Sequence, residues 1–427
     1  MARPLLCLVA ALLAPTGSWA SPTSKRMPRA DYTGHRVVSV TAATAADVGL
    51  LSSLADTLQL DVWQESAAVG RPALIRLRPE VADDFLATAS RKGLNVTTKC
   101  LNLQESIDKE RREMRFTTYS TTQDHFTRYL RYSEFKDALQ NYAKEYDHVT
   151  YTSIGKSYEG RDIIGAHIKT KENQPIVFFE CGIHAREWIS HATCLYIIDQ
   201  LATQYETDEE VKRLLSKYEW RIYPVVNPDG YEYTHTDDPL WRKTRSVSRL
   251  KSECRGADAN RNFDVSNFCK VRSSNDPCSD GYCGDGPFSE PEVRAVRDAL
   301  VSTQGRTEFY FSMHSFSQYW MYPYGYTNVS VPNHELLANI SLAATEAIFK
   351  LQGTEYEVGP ISKVVYRVSG SSVDWAYDHA GVKKAFAIEL QPSWRTFDEN
   401  MAFAMPVRKI LPSVKETWVG IKGAVNY

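Results

Sequence analysis

Ile176-Val177-Phe178-Phe179-Glu180-Cys181-Gly182-Ile183-His184-Ala185-Arg186-Glu187-Trp188 organises the reading of this 427-residue chain. An apolar run of strand length ends at a glycine, and a helical stretch from His191 to Gln204 follows. Strand, turn and helix in that order are the building unit of an α/β sheet. Outward from it, Trp220 to Val226, Glu308 to Met313 and Ala385 to Leu390 read as buried strands, and Ser289 to Thr303 and His334 to Leu351 as helices. Ser289-x-x-Glu292 predicts a capping box for one of them. An amphipathic helix through Phe135, Leu139, Tyr142 and Tyr146 opens this unit, followed by strands flanking a turn at Glu159-Gly160-Arg161. The fold expected is α/β, with a mixed, mostly parallel central sheet covered by helices.

A chain of this length exceeds one growing core, so a second unit is expected. Arg36 to Val40, Ala45 to Leu58, Leu60 to Trp63, Ala73 to Leu77, Val81 to Lys92 and Leu94 to Lys99 alternate as β-α-β-β-α-β, the order of a small ferredoxin-like α+β unit. Nothing in it forms a catalytic constellation. Gln104 to Arg115, with Lys109, Arg111, Arg112 and Arg115, reads as an exposed, protease-accessible linker or as a solvated helix joining the units. The expected division is 1–20, 21–103, 104–115 and 116–427.

Leu5 to Ala14 is apolar behind Arg3, and Ser18-Trp19-Ala20 predicts signal cleavage after Ala20, hence export. No stretch reaches the length of a membrane span. Cys181, Cys194, Cys254, Cys269, Cys278 and Cys283 crowd one region, which suggests three disulfides in an oxidising compartment. A zinc cluster is the weaker reading because no Cys-x-x-Cys pair exists. Sequons at Asn95, Asn328 and Asn339 are compatible with export. With 50 basic and 52 acidic side chains, the net charge of -2 argues against nucleic acid or an anionic membrane as partner.

His184 and Glu187 stand three residues apart where a helix begins, so both can converge on one cation. His235-x-x-Asp238 has the same spacing but no preceding strand. His314, following the apolar strand Glu308 to Met313, is the candidate third ligand, because ligands collect at the carboxyl ends of strands. Glu389 interrupts the apolar run Ala385 to Leu390, where an unpartnered carboxylate is expensive. It is either half of a salt bridge or a general base beside a metal. Trp241-Arg242-Lys243-Thr244-Arg245 and Asp258-Ala259-Asn260-Arg261-Asn262 supply arginines suited to a carboxylate or an oxyanion.

These residues, with His314-Ser315-Phe316-Ser317-Gln318, Tyr366, Gly370 and Val373-Asp374-Trp375, closely resemble the zinc carboxypeptidases of the digestive A/B type in order and spacing, over nearly the whole chain. The resemblance implies Zn²⁺ held by His184, Glu187 and His314, with Asp258 orienting His184. It implies Glu389 as base and Arg242 at the oxyanion. Asn260, Arg261 and Tyr366 would bind the substrate's terminal carboxylate, and Arg186 and Ser315 would line the groove. It also implies the pairs Cys181–Cys194, Cys254–Cys278 and Cys269–Cys283, an inhibitory propeptide in the N-terminal unit, and trypsin-like activation at Arg111, Arg112 or Arg115. The expected partners are peptide substrates with a free C-terminus and the activating protease. Val373 stands where relatives that prefer basic residues carry an acid, and with Gly325 and Ile361 it points to apolar or aromatic C-terminal residues. Phe316, where many relatives have Tyr, and Gln391-Pro392 depart from the pattern and bear on the outer subsites. The alternatives are B-type preference for C-terminal Lys or Arg, and a catalytically silent binding protein.

Overall fold

The computed structural model describes residues 29–66, 68–116, 125–393, 403 and 405–427; the expected leader at 1–20 lies outside them. The first unit runs β1 (Arg36–Thr41), α1 (Ala45–Thr57), β2 (Asp61–Gln64), β3 (Pro72–Leu77), α2 (Pro79–Arg91) and β4 (Asn95–Cys100). Its strands form an antiparallel sheet in the order β2-β3-β1-β4. Val38, Val40, Ile75 and Leu77 bury one face against Leu51, Ala82, Phe85 and Ala89 of the two helices. That is the two-layer packing which alternating strands and apolar helix faces dictate.

A helix, α3 (Leu103–Phe116), continues from this unit through the charged segment. Leu103, Ile107 and Glu110 are buried, while Arg112 is exposed. Arg111 is half-buried, Arg115 lies in the last turn, and residues 117–124 are outside the described part. The segment therefore packs one face instead of crossing solvent as an open linker.

The second unit contains α4 (Tyr132–Glu145), β5 (Val149–Lys156), β6 (Asp162–Ile168), β7 (Ile176–Cys181), α5 (Trp188–Thr203), α6 (Glu209–Lys217), β8 (Glu219–Tyr223) and α7 (Pro228–Thr236). It continues with α8 (Pro291–Val301), β9 (Thr307–Ser317), β10 (Tyr319–Tyr322), α9 (His334–Gln352), β11 (Glu357–Pro360), α10 (Ile361–Val364), α11 (Ser372–Asp378), β12 (Lys384–Ser393) and α12 (Ile410–Asn426). The sheet order is β11-β10-β12-β9-β7-β8-β6-β5, mixed α/β with a parallel centre through β12, β9, β7 and β8. Every residue of β7 is buried, as expected of a strand covered on both faces. Disulfides join Cys181–Cys194, Cys254–Cys278 and Cys269–Cys283, and Cys100 is a buried free thiol.

Two local readings change. The capping box does not form: α8 takes Glu290 as its N-cap with Pro291 in its first turn, and the Ser289 hydroxyl donates to Glu290 Oε1 at 2.9 Å. Proline fits the first turn because it has no N–H to leave unpaired there. His314 lies inside β9, since pairing with β12 carries the strand on to Ser317.

Candidate metal centre and substrate cavity

At the carboxyl end of β7 the chain turns through Gly182, whose φ is +67°, and a Cβ there would stand 1.9 Å from His191 Cε1. Only glycine fits, and the turn delivers His184 and Glu187 to the start of α5. His184 places Nδ1 2.8 Å from Glu187 Oε1 and Nε2 3.0 Å from Asp258 Oδ1. His314 places Nδ1 3.1 Å from Glu187 Oε2 and Nε2 2.8 Å from Ser312 Oγ. The two Nδ1 atoms are 3.2 Å apart.

With its Nε2–H donated to Asp258, His184 keeps a lone pair on Nδ1, facing a second imidazole and a carboxylate. The three donors lie within 4.8 Å of one another, all buried. Such a group coheres only around a cation or a shared proton, and the His₂Glu set with neutral imidazoles suits zinc. Burial opposes charge on Glu187, yet the histidines hold its carboxyl well below the usual range. Burial likewise opposes charge on His314, but its hydrogen bond with Glu187 and the nearby carboxylates raise it to about 9. The pocket therefore draws in positive charge.

Glu389 sits directly opposite His314 in the parallel pairing of β12 with β9, so both side chains leave the same face of neighbouring strands. Burial, then the Glu187 charge, pushes its carboxyl up to about 8. Arg242 donates to Asp258 Oδ2 from Nη2 at 2.9 Å and Nε at 3.1 Å, and approaches Glu187 Oε1 at 3.5 Å. Asp258, opposed by burial but flanked by Arg242 and Arg261, stays well below the usual carboxylate range.

Asn260 Nδ2 is 3.3 Å from His314 Nε2, and its Oδ1 accepts from Ser372 N at 2.9 Å. Arg261 donates from Nε to Arg272 O at 3.2 Å and from Nη1 to Asn260 O at 3.0 Å. Gly370, with φ +83°, lets this turn close, since a Cβ would stand 2.2 Å from Arg261 O. Ser315 N donates to Glu187 Oε2 at 3.2 Å. Val373 is buried at the start of α11. The neighbouring Asp374 accepts from Gly325 N at 3.0 Å and Tyr326 N at 3.1 Å. A Cβ on Gly325 would meet Val368 and Ile361 at 3.1 and 3.3 Å.

A cavity of ≈ 300 Å³ lies over this site, lined by Arg186, Arg242, Arg261 and Tyr366 from the second unit and by Asp61, Trp63 and Glu65 from the first. Asp61 Oδ1 is 3.7 Å from Arg186 Nη1, and Glu65 pairs with Arg272 at 2.8 Å. Arg71 donates to Val364 O at 2.7 Å and pairs with Glu357. His235 is elsewhere, stacked on Trp188 and pushed down to about 3 by burial.

Residues 135–420 match the zinc carboxypeptidase family, and residues 38–110 match the carboxypeptidase activation peptide. The chain belongs to the zinc carboxypeptidase family. The carboxypeptidase is 34% identical to carboxypeptidase A2 of Mus musculus over 401 residues (93% of this chain, 94% of the relative), and 32% identical to carboxypeptidase B of Rattus norvegicus over 403 residues (93% and 94%). The structure of the Helicoverpa armigera carboxypeptidase A superposes with a TM-score of 0.85 at 30% identity, covering 92% of this carboxypeptidase and 97% of that chain. Family membership with an activation peptide makes it a peptidase zymogen.

Sequence reasoning missed Ser312, Glu180 and Arg272 as parts of the site. Glu180 interrupts an apolar strand just as Glu389 does, so the same signal was present. Arg272 sits in a loop with no periodicity to mark it.

Proposed function

We propose that the chain is the secreted zymogen of an exopeptidase that removes single apolar or aromatic residues from the C-termini of peptides and proteins. One observation carries the reading: the donors of His184, Glu187 and His314 face one another within 4.8 Å, with Glu389 beside His314 on the next strand. Those three side chains would hold one Zn²⁺ per catalytic domain. When bound, zinc polarises the scissile carbonyl and acidifies water.

Glu389 takes the proton of the attacking water and passes it to the leaving amine. Arg242 meets the developing oxyanion, and because Asp258 and Glu187 already hold its guanidinium, little reorganisation is needed. Asn260, Arg261 and Tyr366 bind the terminal carboxylate, while Arg186 and Ser315 align the groove. Val373 favours an apolar side chain, since a Lys or Arg head group would find no free acid there. Asp374 does not supply one: two backbone amides occupy its oxygens, and burial pushes it up to about 7. The activation unit inhibits by covering the groove, with Asp61 and Trp63 lining the cavity on its side, until a trypsin-like protease cuts at Arg111, Arg112 or Arg115.

The test is hydrolysis of blocked dipeptides ending in Phe or Arg, before and after limited trypsin treatment, with and without a chelator. Trypsin-dependent, chelator-sensitive release of Phe over Arg is expected. Faster release of Arg would reverse the specificity, and activity indifferent to chelator would remove the metal.

A further inference from the structure

Arg186, Arg242, Arg261 and Arg272 all line the cavity over the metal centre. Three of them keep polar partners inside the second unit. Arg242 is held by Asp258 and Glu187, and Arg261 by the carbonyls of Asn260 and Arg272. Arg186 donates to Leu240 O at 3.2 Å and lies 3.5 Å from Asp280. Arg272 differs. Among the described residues, the polar groups that meet its guanidinium belong to the first unit: Nη1 lies 2.8 Å from Glu65 Oε2 and donates to Ser52 Oγ at 3.1 Å. From the second unit it meets the Tyr366 ring, whose centre is 5.8 Å from the guanidinium carbon.

The second unit itself fixes where Arg272 stands. The residue has φ +47°, in the left-handed region that arginine rarely occupies, within a loop closed by the Cys269–Cys283 disulfide. Val271 O accepts from Ser369 N at 3.1 Å, which seats the loop against the turn that follows Tyr366. Only the opposing charge comes from outside. Glu65 follows directly on β2, whose Asp61 faces Arg186 at 3.7 Å, so the first unit brings two carboxylates to the groove. Its departure takes both away, and Arg272 is then a charged fork at the rim with no acid of its own.

We infer that Arg272 is a specificity-determining residue: once the first unit is gone, its guanidinium binds an acidic side chain one or two residues upstream of the residue released. The substrates favoured are peptides with Glu or Asp close to a free C-terminus. Arg261 and Tyr366 take the terminal carboxylate in the reading above, so their neighbour at the rim is left to the preceding residues. Glu65 thus presents to the groove the charge that the groove is arranged to bind. The inference rests on the exopeptidase reading.

The experiment compares blocked tetrapeptides ending in Phe, with Glu or Gln as the second or third residue from the C-terminus, using the trypsin-treated precursor. At one of these positions kcat/KM for Glu should exceed that for Gln about threefold, the scale of a solvent-exposed ion pair. High salt should shrink the ratio. Arg272→Gln should bring it to about one, Arg272→Lys should keep most of it, and Arg272→Glu should invert it. Equal rates for Glu and Gln peptides in an active parent would overturn the inference and leave the exopeptidase reading intact. So would a preference that survives in Arg272→Gln. A trypsin-treated parent that releases Phe from none of the peptides would overturn both. If Arg272→Gln loses its near-UV circular dichroism, the parent's salt dependence and Arg272→Lys carry the same comparison.

Discussion

Two carboxylates in apolar strands, Glu180 and Glu389, show how much a single residue conveys. Each breaks a hydrophobic run where burial of charge is unfavourable, so each must meet positive charge or hydrogen bonds. Glu389 stands beside His314 in the register of two parallel strands. Glu389→Gln, which keeps shape and removes the basic oxygen, should lower kcat about 10³-fold or more while zinc stays near one per chain; steady-state kinetics with metal analysis checks both. Val373→Asp should improve the ratio of kcat/KM for C-terminal Arg over Phe at least about tenfold, because it would place an acid at the position proposed to set the preference. An unchanged ratio would place specificity elsewhere. Legible at this scale were His184, Glu187 and His314. Ser312 gave no signal, since serine is ordinary in any strand.

Among the elements, α3 departs most from expectation. Its charge pattern reads as solvated, yet Leu103, Ile107 and Glu110 are buried on one face. Burial pushes Glu110 up to about 8 from an ordinary value of 4.5. An acid with a raised folded-state pKa leaves the native state binding more protons than the unfolded chain, so stability falls as pH rises between those two values. The helix should therefore loosen from about pH 5 toward pH 8, and the rate of tryptic cut at Arg111 or Arg112, normalised to a free peptide, should rise several-fold across that window. Glu110→Gln should flatten the profile; a profile unchanged by that substitution would remove Glu110 as its source. The β-α-β-β-α-β order and the strands around the site were readable from periodicity. The end of β9 was not, because pairing with β12, rather than hydrophobic pattern, extends it past His314.

At the level of the whole molecule, the two units meet through a buried apolar cluster that joins Val37, Leu74 and Cys100 to Leu240, Phe316 and Phe403, and through charge: Arg71 with Glu357 and Val364 O, Glu65 with Arg272, and Asp61 toward Arg186. Arg71→Ala removes a charge-assisted contact to the segment that leads into Tyr366, worth about 1–2 kcal/mol. Activity of the uncut precursor should rise several-fold, while activity after trypsin stays that of the parent. A precursor as silent as the parent would show that Arg71 does not hold the unit in place. Sequence alone determined the α/β class, the order of the first unit, the candidate ligand pair His184 and Glu187, and the unusual carboxylate at 389, because each is written in local periodicity or in a residue that burial would otherwise reject. The tertiary structure decided which nitrogens face each other, how Arg242 is shared between Asp258 and Glu187, and that Asp61 and Trp63 lie over the groove. Those depend on register and docking between segments far apart in the chain, where the forces act through space and leave no pattern along it.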